Sequence, residues 1–281
     1  MNRSDYNDLD GHLLQLLLAV VETGSITGDA LFVKSGRGVV ATAHAEQLAV
    51  RARALLIAMA GFAAAGSFDP TSWRATITIA ANDFQRTVLL PQLMSRLRQK
   101  APGVVLRVMA SNIPSLEMLR QEQCQLVISP RPPSGSDIMQ KRLFENHFRV
   151  FYDAAEREAP RSRADYLSAE HITVVYEPQR ALDIDQWLLG QGVQRRFQVM
   201  VPGFAALPDF MRGSRLLATA PGLLQSNLFQ GLASAPVPVT CPPMPMFMVW
   251  HQRYQNDASH QWLREELTQV AAALPLVSPA A

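Results

Sequence analysis

From Trp73 onward the chain alternates short β-prone runs with amphipathic helical runs, and this alternation confines it to an α/β architecture. Thr76-Ile77-Thr78-Ile79-Ala80 alternates like a strand, and Pro102-Gly103 turns the chain into a second strand from Val104 to Met109. Leu126-Val127-Ile128 is a buried strand candidate. Strand-like runs recur at Arg149–Tyr152, Ile172–Tyr176, Phe197–Val201, Leu216–Thr219 and Phe247–Trp250. Helical runs lie at Leu116–Gln123, Leu182–Leu189, Phe204–Met211, Gly222–Phe229 and His260–Ala273. An earlier helix carries Leu89, Leu90, Leu93, Met94 and Leu97, with Asp83 as its cap and Pro91 tolerable only near a first turn. The pattern predicts α/β units with largely parallel sheets.

The front of the chain has another texture. Leu13, Leu14, Leu17, Val20 and Val21 form the apolar face of a helix capped by Asp10 and ended by Gly24. Leu31–Val33 and Val39–Ala41 flank Lys34-Ser35-Gly36-Arg37-Gly38, which reads as a hairpin. An alanine-rich helix follows from about Ala43 to Ala65, with Leu48, Ala52, Leu55, Leu56 and Met59 on one face. A long helix beside a small domain buries such a face against a partner, so a homo-oligomer seam is expected here. Gly66-Ser67-Phe68-Asp69-Pro70 serves as a linker.

Composition narrows the function classes. With 281 residues, 48% hydrophobic and 18% charged, the chain holds a sizeable core and is not mainly disordered. Its net charge of +2 announces no polyanionic partner. Cys124 and Cys241 form no disulfide framework, no Cys/His spacing suggests zinc, and each reads as a buried reduced thiol. Asp5, Asp8 and Asp10 precede the first apolar run, where a secretion signal needs positive charge, and no run reaches membrane length. A soluble, cytoplasmic protein with no membrane partner is expected. No Gly-x-Ser-x-Gly, phosphate loop or His-Glu-x-x-His occurs. His12, His44, His147, His171, His251 and His260 are scattered, so no enzyme, metal or cofactor is expected.

Several segments together resemble LysR-type transcriptional regulators. Leu16-Leu17-Leu18-Ala19-Val20-Val21-Glu22-Thr23-Gly24-Ser25 is similar to their opening helix, and Leu31-Phe32-Val33-Lys34-Ser35-Gly36-Arg37-Gly38 to their wing. Ala41-Thr42-Ala43-His44-Ala45-Glu46 resembles the start of their linker helix. Leu89-Leu90-Pro91 with Ala101-Pro102-Gly103-Val104 resembles their first βαβ unit. Trp250-His251 and Trp262-Leu263-Arg264-Glu265 resemble the closing strand and helix, most like the branch of nodulation and aromatic-catabolism regulators.

The chain departs from the family at one place. There the segment equivalent to Ser25-Ile26-Thr27 leads into two more helices, the second lying in the major groove. Here Thr27-Gly28 runs directly into Asp29-Ala30-Leu31-Phe32. About 25 residues, enough for the recognition helix of a helix-turn-helix, are missing. Through Gly66 five cations (Arg3, Lys34, Arg37, Arg51, Arg53) face six anions (Asp5, Asp8, Asp10, Glu22, Asp29, Glu46). A DNA-reading module is basic, so weak or absent autonomous DNA binding is expected. Lys34 and Arg37 reach phosphates from the wing or are solvated turn charges.

The resemblance implies three parts: a truncated winged helix-turn-helix over 1–42, a linker (dimerisation) helix and hinge over 43–72, and an effector-binding domain over 73–281. The last implies a periplasmic-binding-protein-like fold of two α/β subdomains, 73–146 with 246–281 and 147–245. The crossings are placed near Asn146–Arg149 and Pro242–Met246. A small effector, aromatic or carboxylate, is expected between them where strands end and helices begin. Those positions are Asn82, Asp83 and Phe84, then Ser111 and Asn112, then Ser129 and Arg131, and from the other subdomain Pro202, Gly203, Phe204 and Thr219. Asp83 and Ser111 serve equally as caps or turn residues, Arg131 as an exposed residue of Pro130-Arg131-Pro132-Pro133, and Phe84 and Phe204 as core. Two functions follow: a LysR-type regulator binding DNA and an effector, or an effector sensor that cannot read DNA alone and that titrates its ligand or pairs as a heterodimer with an intact regulator. An exported solute-binding protein shares the fold, but the retained wing and linker helix argue against it.

Overall fold

The computed structural model describes residues 32–35, 38–43, 45–46, 49–50, 68–111, 113–176 and 180–275. They fall into two compact units, one up to Phe68 and one from Asp69. In the first unit β1 (Phe32–Ser35) and β2 (Gly38–Ala41) pair antiparallel, with Ser35 opposite Gly38, which is the expected hairpin. Ala43, Ala45, Glu46, Ala49 and Val50 are helical. Thr42 starts this helix: its carbonyl accepts from Glu46 N–H at 3.0 Å and its Oγ1 from Ala45 N–H at 3.3 Å. The opening helix, Arg37 and the expected seam residues Leu48, Ala52, Leu55, Leu56 and Met59 lie outside the described residues.

The second unit opens with Asp69, whose carboxylate caps a 3-10 turn at Pro70–Ser72. Its strands are β3 (Ala75–Ala81), β4 (Val104–Ala110), β5 (Leu126–Ser129), β6 (Ile138–Asn146), β7 (Phe148–Tyr152), β8 (Glu170–Tyr176), β9 (Arg180–Ala181), β10 (Arg196–Val201), β11 (Leu217–Pro221), β12 (Ala233–Pro236) and β13 (Met244–His251). Its helices are α1 (Asp83–Val88), α2 (Leu90–Lys100), α3 (Leu116–Arg120), α4 (Arg163–Ser168), α5 (Asp183–Gly190), α6 (Leu207–Met211) and α7 (Ala258–Ala272). One sheet has the order β4-β3-β5-β13-β6, the other β10-β8-β11-β7-β12, with β9 paired to β8.

Both sheets are mixed, and this corrects the expectation of largely parallel ones. β3 pairs parallel with β4 and β5, and β8 with β10 and β11. β13 pairs antiparallel with β5 and β6, and β7 with β11 and β12. The antiparallel pairs belong to the strands that flank the passages from one sheet to the other. The chain leaves the first sheet after Asn146, enters the second at Phe148, and returns between Pro236 and Met244.

Strand alternation sorts the first sheet's two faces. Ile77, Ile79 and Ala81 join Leu89, Leu93, Leu97, Leu263 and Leu267 in the main core. Ala80 turns to the other face with Val127, Val249, Cys124 and Leu119 of α3. Burial pushes the Cys124 thiol up to about 12, so it stays protonated, whereas Cys241 is only half-buried. Glu266 of α7 is buried between Arg96 and Lys100 of α2, at 2.5 and 2.6 Å. The expected single helix after β3 is broken. Pro91 lacks an N–H and would clash with the preceding turn, so α1 stops at Val88 and α2 starts afresh with Pro91 in its first turn. Asn82, not Asp83, is the cap of α1.

The second sheet encloses a buried polar network. Asp185 accepts from Arg195 and from Thr173 Oγ1, both at 2.5 Å. Arg195 also donates to the Tyr166 hydroxyl at 3.3 Å and lies 4.9 Å from the Phe197 ring centre. His171, fully buried, donates from Nε2 to the Tyr166 carbonyl at 2.7 Å.

Candidate functional site

A cavity of about 370 Å³ opens between the two sheets. Its walls come from the ends of β3, β5, β8 and β11 and from the starts of α1 and α5. Strands that point their carboxyl ends at one crevice leave a groove there, and the passages between sheets close its floor. Asn82, Phe84, Ser129, Arg131 and Phe204 stand on this wall, as five of the positions read from the sequence. Phe84 and Phe204 meet edge to face across the groove, with ring centres 6.5 Å apart. They are at once core residues and wall residues.

The other positions lie off the wall. Asp83 spans the groove, its carboxylate accepting from Ala205 N–H at 3.0 Å. Gly203 sits beneath it: a Cβ there would lie 2.6 Å from Asp83 Oδ2. Ser111 is buried against the Met118 sulfur at 3.8 Å. Pro202 is exposed. Thr219 turns into the second sheet's core, where its hydroxyl shares a 2.5 Å hydrogen bond with Tyr166. Asn112 lies outside the described residues.

The wall also holds residues that are not among the positions read from the sequence. Tyr176 faces Asn82, whose Nδ2 donates to the phenol oxygen at 3.1 Å. Burial, and then the nearby Asp83 carboxylate, push that phenol well above its ordinary range, so it stays protonated. Gln85 is 1% exposed and accepts from Asn82 N–H at 3.0 Å, completing a capping box with its neighbour. Arg131 and Asp183 form an ion pair between the two sides of the mouth. Eight prolines complete the wall: Pro114, Pro130, Pro132, Pro133, Pro221, Pro242, Pro243 and Pro245. A signal existed for these, since six of them stand in the two Pro-rich stretches 130–133 and 242–245.

Among the described residues no group of His, Cys, Asp and Glu could hold a metal ion, and no helix is long and apolar enough to cross a membrane. The site can enclose a small molecule on a largely apolar surface with a few fixed polar groups.

Comparisons with known proteins agree with this geometry. The chain is 28% identical to the HTH-type transcriptional activator NahR of Pseudomonas putida over 243 residues, covering 84% of this chain and 81% of that one. It is 27% identical to nodulation protein D 1 of Sinorhizobium fredii over 260 residues, covering 89% and 80%. Among solved structures, a probable transcriptional regulator of Pseudomonas aeruginosa superposes with a TM-score of 0.62 at 26% identity, covering 92% of this chain and 96% of that one. A family model described as the LysR substrate binding domain matches residues 70–272. That stretch runs from the turn before β3 to the end of α7 and takes in both sheets and the cavity between them, so the chain belongs to the LysR family of transcriptional regulators.

Proposed function

We propose that this regulator senses a small effector between two subdomains, 73–146 with 246–281 and 147–245, and is not an enzyme. The observation that carries the reading is the cavity itself. It lies within the size range of small-molecule sites and is bridged by Asp83–Ala205, Asn82–Tyr176 and Arg131–Asp183. Asn82, Phe84, Ser129, Arg131 and Phe204 contact the effector, and Asp83 with Gly203 sets how the two sides close. Ser111, Pro202 and Thr219 act through the residues they support.

The same reading makes the protein a poor reader of DNA by itself. Two observations favour this: Thr27-Gly28 is followed directly by the approach to the hairpin, and the segment through Gly66 carries more anions than cations. The linker helix joins copies into a cytoplasmic homo-oligomer. It also allows a second role, pairing with an intact regulator and depriving it of one DNA-reading half.

A fluorescence titration against genomic DNA fragments at two salt concentrations, with the oligomeric state measured alongside, tests this. Weak binding, lost at higher salt without discrimination between fragments, is expected. A nanomolar complex with one particular fragment would overturn the DNA part. Inserting a basic helix-turn-helix segment between Thr27 and Asp29 should restore binding.

A further inference from the structure

Anionic ligands are held where backbone N–H groups and helix starts converge on them. Around this cavity all of those places but the start of α5 are filled by the protein's own oxygens. At the start of α1, Asn82 Oδ1 accepts from the N–H groups of Phe84 and Gln85, at 3.0 and 3.4 Å. At the 3-10 turn Phe204–Ala206, the Ala205 N–H goes to Asp83. After β5 the Arg131 N–H goes to Ser129 Oγ at 3.0 Å, and after β11 the Gly222 N–H goes to the His147 carbonyl at 2.8 Å. The start of α5 has no side-chain cap, but its first turn carries Asp183 and Asp185, which already counter its field. The eight prolines of the wall bring no N–H at all. Arg131, the one cation among the described wall residues, is paired with Asp183.

Beside the second N–H of the Asn82 amide, two neutral donors remain. The Tyr176 hydroxyl accepts from Asn82 and keeps its own proton to give. The Gln85 amide nitrogen has only the Met246 sulfur, a weak acceptor, at 3.4 Å. Both side chains are more than nine-tenths buried and both stand on the wall. A carboxylate entering here would give up its water and meet neither a free cation nor a cluster of N–H groups, a large cost. A ketone, ester or ether oxygen would be satisfied by these two donors.

We propose that the cavity selects a neutral aromatic molecule bearing an acceptor oxygen, its ring against the Phe84–Phe204 pair and its oxygen on Tyr176 and Gln85. This rests on the reading of the cavity as the effector site. The test is calorimetric titration of the full chain at neutral pH with 2-acetonaphthone and 2-naphthoate, which differ by a methyl group against a charged oxygen. The ketone is expected to bind at least about tenfold tighter. Tyr176→Phe should weaken the ketone about three- to tenfold while leaving naphthalene, which has no acceptor, unchanged. That selective loss is not what a merely structural tyrosine would give. Equal or tighter binding of naphthoate overturns the inference. If Ala181→Trp, which adds bulk at the wall and whose folding is checked by circular dichroism, abolishes that naphthoate binding, the effector-site reading survives alone. If neither probe binds, or binding of the tighter probe survives Ala181→Trp, both fall.

Discussion

Asp83 and Ala205 are 122 residues apart in sequence and joined by one hydrogen bond, carboxylate to backbone N–H at 3.0 Å. Asp83 follows a strand of the first sheet and Ala205 a strand of the second, so the bond ties the two sides of the cleft. Gly203 makes it possible, because any Cβ there would press on the same carboxylate oxygen. Gly203→Ala should cost about 1 kcal/mol, since the methyl displaces a partly exposed carboxylate rather than packed core. In an Asp83→Ala background the same change should cost little. A double-mutant cycle by urea denaturation should therefore show a coupling of about 1 kcal/mol.

The Arg195–Asp185 pair has side chains only 3% and 6% exposed. Removing either partner strands a buried charge. Arg195→Met or Asp185→Leu alone should each cost about 3–5 kcal/mol, while the double replacement should recover much of that loss. Equilibrium unfolding of the three variants checks the order.

Acid should weaken the fold in a defined window. Burial pulls the imidazoles of His171 and His260 from 6.5 down to about 4, helped by Arg195 and Arg157 at the first and by Arg264 at the second. Between those values the unfolded chain binds more protons than the folded one, so stability rises with pH there. It is complete above about pH 6.5 and falls as pH drops toward 4. The urea midpoint should fall between pH 7 and pH 5, and a His171→Gln, His260→Gln double variant should flatten that fall.

Residual DNA affinity should be electrostatic only. If Lys34 and Arg37 are the phosphate contacts, the logarithm of the binding constant should fall against the logarithm of salt with a slope near −2 per protomer. Replacing both by Gln should remove that slope. A slope several times steeper would reveal contacts elsewhere in the chain.

Much of the fold is legible in the sequence because Thr76–Ala80, Ile172–Tyr176 and Phe247–Trp250 are β-branched or aromatic runs that only a buried strand accommodates. β6 and β12 are not legible for a physical reason. Both are edge strands: β6 carries Lys141, Arg142 and Glu145, and β12 is Ala-Ser-Ala-Pro, so pairing with β13 and β7 makes them strands rather than any apolar pattern. In the cleft, counting along strand ends leads to Asn82, Phe84, Ser129, Arg131 and Phe204. The same counting cannot tell which face an end residue presents, and Thr219 turns to the core instead. Tyr176 ends the Ile172–Tyr176 run and lies within reach of the same counting, whereas the Pro242–Pro245 stretch comes to the wall through tertiary assembly.

The proline-rich wall has a consequence for how binding can be watched. Proline carries no amide proton, so eight positions around the cavity are invisible to amide-detected NMR and to hydrogen exchange. Occupancy of the cavity should register weakly in those spectra and strongly in carbon-detected methyl signals, where Ile113, Ala181, Leu182, Ile184 and Met244 report from the same wall.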